Sequence, residues 1–187
     1  MILIRHGQTE FNRIFAATRR DPGIRDPGLN EEGRQQAAAV AQALSAIPLR
    51  RLTVSPYIRA LETAEIIADG LTLPITVDPL IAERFCFACD IGSPLDELRA
   101  RWPALVFDHL SDPWWPGGEE SDDSLLLRAQ RFRDLLAQED SSDLAIVSHW
   151  GFIRALTGLR TPNGAVLRID PVRPDGEAEV LFSPTTR

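Results

Sequence analysis

Residues 1–7 read Met1-Ile2-Leu3-Ile4-Arg5-His6-Gly7. A short apolar run, ended at once by two basic side chains and a glycine, matches a buried β-strand that empties into a turn. The same pattern returns late in the chain, where Leu144–Val147 runs into Ser148-His149. Between them Arg51–Val54 runs into Ser55-Pro56, with Arg59 one turn further on, and Ile75–Val77 reads as a further strand. Three strands thus each deliver a histidine or an arginine just past their carboxyl ends.

The segments between these strands carry helical spacing. Asn30 reads as an N-cap before Glu31 and Glu32, and Ala37, Val40, Ala41 and Leu44 recur on one face, predicting a helix over about 31–46. Ser55-Pro56 reads as a cap followed by proline at the first helical position, with the helix running to about Ala68 and stopped by Gly70. A short helix is expected from Ser93-Pro94 to near Trp102-Pro103. Another starts at Ser121, with Leu125, Ala129, Phe132 and Leu136 on one face, and a short one runs from Trp150 to Leu156. Gly7–Leu29, rich in Gly, Pro, Asp and Arg, reads as one long loop, and loops of that length are often functional. Ala165–Ile169 and Glu177–Phe182 read as a closing pair of strands joined by a Pro/Asp/Gly turn. Strands alternating with helices predict an α/β domain with a mostly parallel sheet. The 187 residues suit one domain, 1–187.

In open parallel sheets ligands bind outside the carboxyl ends of the strands. That rule brings Arg5, His6, Arg59 and His149 to one rim. Two imidazoles and two guanidiniums suit a dianionic tetrahedral group, since each guanidinium can fork onto phosphate oxygens. One neutral imidazole can attack phosphorus and split the transfer into two steps. The other can donate to charge spreading over the equatorial oxygens. A leaving alkoxide needs an acid, and Glu83, after the third strand and the Asp78-Pro79 turn, is the best-placed carboxyl, with Asp90 as the alternative. Apolar surroundings near Phe85 and Phe87 would raise its pKa toward useful acidity. Arginines beside both histidines would repel a cation, so no metal and no cofactor is expected.

Composition narrows the field from the other side. All 20 basic residues are arginine and none is lysine. Schiff-base, pyridoxal-phosphate, Walker-loop and protein-kinase chemistry therefore drop out. The net charge of −7 argues against a general nucleic-acid or anionic-membrane partner. No apolar run approaches the ~20 residues that span a bilayer. Arg5 interrupts the first apolar run, so no signal peptide is expected and a cytoplasmic protein is.

At these residues the sequence resembles the histidine phosphatase superfamily, the phosphoglycerate-mutase-like proteins. Arg5 to Asn12, R-H-G-Q-T-E-F-N, resembles the signature R-H-G-x-[ST]-x-x-N. Asp26 to Ala37 resembles the family's following helix start, and Ser55 to Ala64 its S-P-x-x-R-A-x-x-T-A. Glu83-Arg84 resembles its E-R pair, Gly117 to Ser121 its G-G-E-S, and Val147 to Arg154 its V-S-H-G-G. Trp150 replaces the first glycine of that last motif and Gly151 keeps the second, which implies an intact turn and a bulkier pocket wall. The resemblance implies a three-layer α/β/α phosphoglycerate-mutase-like fold with a lid or insertion over about 79–120. It implies His6 as phosphorylated nucleophile, and Arg5, Arg59, Asn12 and His149 holding the phosphoryl group. Glu83 would be general acid and then base. The implied activity is a metal-independent phosphomonoesterase acting on a small phosphorylated metabolite. Phosphoglycerate mutase is the alternative, and a non-catalytic phosphate- or phosphoprotein-binding relative a second.

Other features read as structural. Cys86-x-x-Cys89 stands alone and suggests two semi-buried thiols. His109 reads as surface or structural. Trp114 and Trp115 read as anchors of their Pro/Gly loop more than as a lid over substrate. Arg19, Arg20 and Arg25 divide evenly between solvated side chains and a recognition site for an acidic part of the substrate.

Overall fold

In the computed structural model, which describes residues 1–171 and 178–184, a six-stranded sheet has the order β3-β2-β4-β1-β5-β6. Its members are β1 (Ile2–Arg5), β2 (Arg51–Val54), β3 (Ile75–Val77), β4 (Leu144–Ser148), β5 (Val166–Arg168) and β6 (Glu179–Phe182). The first four run parallel, and β5 and β6 add on antiparallel, so the sheet is mixed and mostly parallel. The register pairs Arg5 with Ser148 and Val54 with Val147, which ends β1, β2 and β4 at one level.

Alternation along the strands separates two cores. Ile2, Ile4, Val54 and Val147 point toward α2 (Glu31–Leu44), α3 (Ile58–Leu71) and α4 (Leu95–Arg101). Leu3, Leu144, Ile146 and Leu167 point toward α5 (Asp122–Leu136) and α6 (Trp150–Thr157). The result is three layers, α/β/α, and the expected fold class holds. Among the described residues no helix is long and apolar enough to cross a membrane.

Three local expectations need correction. The stretch read as a continuous loop contains α1 (Glu10–Thr18). Thr9 and Asn12 form a reciprocal capping box there, and Phe11 stacks on Phe15 one turn later. Gly70 does not stop α3. It lies inside the helix against Ala41, and the chain turns at Thr72, which takes the left-handed conformation at φ 56°. Ser55-Pro56 does not cap α3 either, since the helix begins at Ile58 and the Ser55 hydroxyl is engaged elsewhere. Asn30 and Ser121 do cap α2 and α5, accepting from Gly33 N and Ser124 N. The expected turn before β6 lies outside the described residues.

Between β3 and α5 the chain has little regular structure. It forms 3₁₀ turns at Pro79–Ile81 and Ala88–Asp90, then α4, then an irregular run to Ser121. Trp114 anchors that run, buried edge-on against Tyr57 with its indole N–H donating to the Ser93 carbonyl at 2.9 Å. It anchors its loop and does not cover the cleft. His109 hydrogen-bonds the Val77 carbonyl at 2.9 Å, a structural role as expected.

Candidate active site

β1 delivers Arg5 and then His6, whose backbone N–H donates to the Ser148 carbonyl at 3.0 Å. Gly7 follows where only glycine fits, because a Cβ there would lie 2.4 Å from the Gly33 carbonyl oxygen at the start of α2. The Gly7 N–H is tied to the Thr63 hydroxyl at 3.0 Å, which holds the turn against α3. His6 is almost fully buried, and its Nδ1 lies 2.7 Å from the Gly7 carbonyl. A carbonyl only accepts, so Nδ1 carries the proton and Nε2 of the neutral ring keeps its lone pair. Burial, with Arg59 and Arg5 nearby, holds the His6 pKa well below the ordinary histidine value.

His149 follows β4 and is completely buried. Arg59 Nε donates to its Nδ1 at 3.3 Å, so Nε2 carries the proton and donates to the Ser55 hydroxyl at 2.8 Å. Its ring centroid lies 5.0 Å from that of His6. Burial and then Arg59 depress its pKa too. Both ring nitrogens are engaged, one by Arg59 and one by Ser55, and His149 is not among the residues that line the cleft.

Arg59, on the first turn of α3, does reach the cleft. Its Nη1 donates to the Cys89 carbonyl at 2.7 Å, its Nη2 to Asp90 Oδ1 at 3.0 Å, and its guanidinium lies 4.3 Å from the Tyr57 ring centroid. Arg5 is freer. One Nη donates to the Thr161 carbonyl at 2.6 Å, and its Nε is buried with no acceptor among the described residues. Burial lowers the Arg5 pKa to about 10, which leaves it charged at neutral pH. Asn12 enters from α1. Its Oδ1 accepts from Thr9 N, Thr9 Oγ1 and Asn163 Nδ2 at 3.0–3.2 Å, which turns its amide nitrogen toward the cleft it lines.

Glu83 faces the same cleft from the segment after β3. Its Oε1 accepts from Arg84 N at 2.9 Å and from Gly151 N, at the start of α6, at 2.8 Å. A Cβ on residue 151 would fall 2.4 Å from that oxygen, so Gly151 leaves the room in which the Glu83 carboxylate sits, and Trp150 stands on the cleft wall. Burial, and then the negative Asp90, raise the Glu83 pKa, against the pull of Arg59, the Arg84 N–H and Arg5. Asp90, the alternative acid, is fully committed as an acceptor. Besides Arg59 it receives the Cys86 and Phe87 N–H groups on Oδ2, each at 3.0 Å. Arg5, His6, Asn12, Arg59, Glu83 and Asp90 thus line one cleft of about 520 Å³.

A sequence model of the histidine phosphatase superfamily (branch 1) matches residues 1–170. The chain belongs to that superfamily. Within it, the glucosyl-3-phosphoglycerate phosphatase of Mycolicibacterium vanbaalenii is 31% identical over 180 residues, covering 89% of this chain and 78% of that one. The probable phosphoglycerate mutase GpmB of Erwinia tasmaniensis is 31% identical over 150 residues, covering 79% and 67%. Among solved structures, a mycobacterial glucosyl-3-phosphoglycerate phosphatase superposes with a TM-score of 0.64 over 98% of both chains at 23% identity, a likeness of fold.

Two residues that brace the elements around this cleft have partners that the sequence does not announce. Asn163, in the turn before β5, donates to the His6 and Gly7 carbonyls at 3.1 and 3.4 Å as well as to Asn12. Nothing in a Thr-Pro-Asn-Gly turn announces a partner 157 residues away. Asp26 is buried at a positive φ of 33°, and its two oxygens accept from Ile58 N and Ser93 N at 3.0 and 2.9 Å. Its Asp-Pro-Gly setting signals a turn but not these partners. The two cysteines are free thiols, Cys86 half-buried and Cys89 buried, as expected.

Proposed function

We propose that this chain is a phosphomonoesterase that works through a phosphohistidine at His6 on a small phosphorylated metabolite, without a metal. The observation that carries the reading is the 2.7 Å contact between His6 Nδ1 and the Gly7 carbonyl, which fixes the tautomer of the ring. Its Nδ1–H is held by the Gly7 carbonyl, its Nε2 lone pair has no partner among the described residues, and Arg5, Arg59 and Glu83 share its cleft.

The steps follow from that set. Nε2 attacks phosphorus in line, the ester P–O bond breaks, and a protonated Glu83 gives its proton to the departing alkoxide oxygen. Arg5, Arg59 and the Asn12 amide hold the phosphoryl oxygens as their charge grows. His149, which accepts from Arg59 and lies beside the His6 ring, keeps both in position. In the second half the Glu83 carboxylate takes a proton from water, the water oxygen attacks phosphorus, and the N–P bond breaks. Inorganic phosphate leaves, and His6 and Glu83 regain their starting forms. The raised Glu83 pKa and the depressed His6 pKa favour this pairing of acid and nucleophile at one pH.

A panel of phosphorylated metabolites, assayed for phosphate release in the presence of a chelator, tests the reading. Release that survives chelation supports it. Isomerisation of 3-phosphoglycerate with little release would favour the mutase alternative. Phosphate binding with no turnover of any ester would favour a non-catalytic relative.

A further inference from the structure

Beyond the phosphoryl cradle the cleft changes character. Its outer walls are aromatic and aliphatic: Phe11, Phe15 and Ala16 from α1, Phe87 from the segment after β3, and Trp150 at the start of α6. The three phenylalanines form one cluster, with ring centroids 5.6 Å apart for Phe11–Phe15, 5.9 Å for Phe11–Phe87 and 5.1 Å for Phe15–Phe87. Phe87 remains 37% exposed, a large apolar ring left open at the mouth of a polar site. Arg19 and Arg160 also line the cleft with exposed side chains, but the polar groups flanking Phe87 are already spent. Arg84 is turned away to the Glu120 carbonyl, Glu119 and Asp122, and Asp90 is saturated by Arg59 and two backbone N–H groups.

A polyhydroxylated leaving group laid against the three rings would lose water from its hydroxyls with nothing on that wall to replace it, which is costly. A planar aromatic group would gain burial and ring-to-ring contact at the spacing that such pairs favour. We propose that the outer cleft is a binding site for an aromatic leaving group, so that the preferred substrates are monophosphate esters whose alcohol carries an aryl ring close to the ester oxygen. The inference rests on the phosphomonoesterase reading for its chemistry but not for its binding, and the two are tested apart.

The first measurement is kcat/KM for 2-phenylethyl phosphate against propyl phosphate and glycerol 3-phosphate. These are alkyl esters, so leaving-group chemistry is nearly matched and the ring is the main variable. The aryl ester is expected to be favoured at least ten-fold. Phe87→Ser and Phe15→Ser, both at partly exposed positions, are each expected to cut that ratio several-fold. The second measurement is calorimetric binding of 3-phenylpropylphosphonate against propylphosphonate, which needs no turnover, with the same ten-fold preference expected. Turnover of all three esters with a ratio near one would overturn the aromatic site and leave the phosphatase intact. Tight, aryl-selective phosphonate binding without hydrolysis of any ester would overturn the phosphatase and leave the aromatic site. Equal binding of the two phosphonates, or ratios unmoved in both variants, would overturn the aromatic site outright.

Discussion

The site has two halves built on different principles. One half stands on the ends of parallel strands: Arg5 and His6 after β1, Arg59 just beyond β2, His149 after β4. These positions are locked by the sheet register and by backbone bonds such as His6 N to the Ser148 carbonyl. The other half, residues 79–120, has only short 3₁₀ turns and one seven-residue helix. It holds Glu83, Asp90 and Phe87 in place through side-chain-to-backbone bonds that close on themselves, with Asp90 as the knot. Such a segment can vary in sequence without disturbing the sheet. On the proposed reading, the nucleophile and the two phosphate-holding arginines belong to the rigid half, while the acid for proton transfer comes from the irregular half.

The division predicts a graded set of defects. His6→Ala, in the rigid half, should have the largest effect, lowering kcat by about 10⁴-fold or more, as loss of a nucleophile does elsewhere. Stopped assays of phosphate release on a good substrate measure it, and substantial residual turnover would break the comparison. Glu83→Gln, in the irregular half, keeps an acceptor for the Gly151 N–H but cannot donate an acidic proton. It should slow turnover by ~10²–10⁴-fold while inorganic phosphate, read by calorimetry, binds about as before. A large loss of phosphate affinity would show that the halves are not separable in this way.

Most of the rigid half is legible in the sequence, because short strand-like runs, Met1–Ile4, Arg51–Val54 and Leu144–Val147, followed at once by Arg-His, Ser-Pro or Ser-His encode both the strand and what it carries. The irregular half is less so. Glu83 is identifiable from its distance past β3 and from Glu83-Arg84, but the Asp90 knot depends on backbone N–H groups that every residue has. α1 hides for a related reason. Its capping pair Thr9 and Asn12 lies inside a stretch whose glycines and prolines mark it as loop, and its aromatic face packs largely against Phe87 rather than the main core. His149 is legible from the Ser148-His149 pair after a strand, but its bonds to Arg59 and Ser55 are not, since they depend on where those side chains point.

Asp90→Asn should have a smaller and more particular effect. The Asp90 charge helps to raise the Glu83 pKa, so its removal lets that pKa fall. The alkaline limb of the kcat/KM profile, which follows ionisation of the acid, should then move to lower pH. A limb that stays in place would mean that Asp90 serves only to hold Arg59.

The smallest effect concerns the join between the halves. Asp26 bonds the start of α3 on one side and Ser93 on the other, and burial raises its pKa to about 6 against the pull of Arg59 and its N–H donors. An unfolded aspartate titrates near ~3.9, so the native state holds the extra proton. That stabilisation is fully present below the unfolded value and is lost as pH rises through about 6. The melting temperature of the parent protein should therefore fall, relative to Asp26→Asn, between those two pH values. Parallel curves would show that Asp26 does not titrate in that window.

The central claim is a two-step transfer through His6, and the stereochemistry at phosphorus tests it most directly. Hydrolysis of a phosphate ester made chiral with oxygen isotopes, in water of the remaining isotope, yields phosphate whose configuration can be read by phosphorus NMR. Two in-line displacements, ester to His6 and His6 to water, predict overall retention. Inversion would mean that water attacks the ester directly, and would contradict the account.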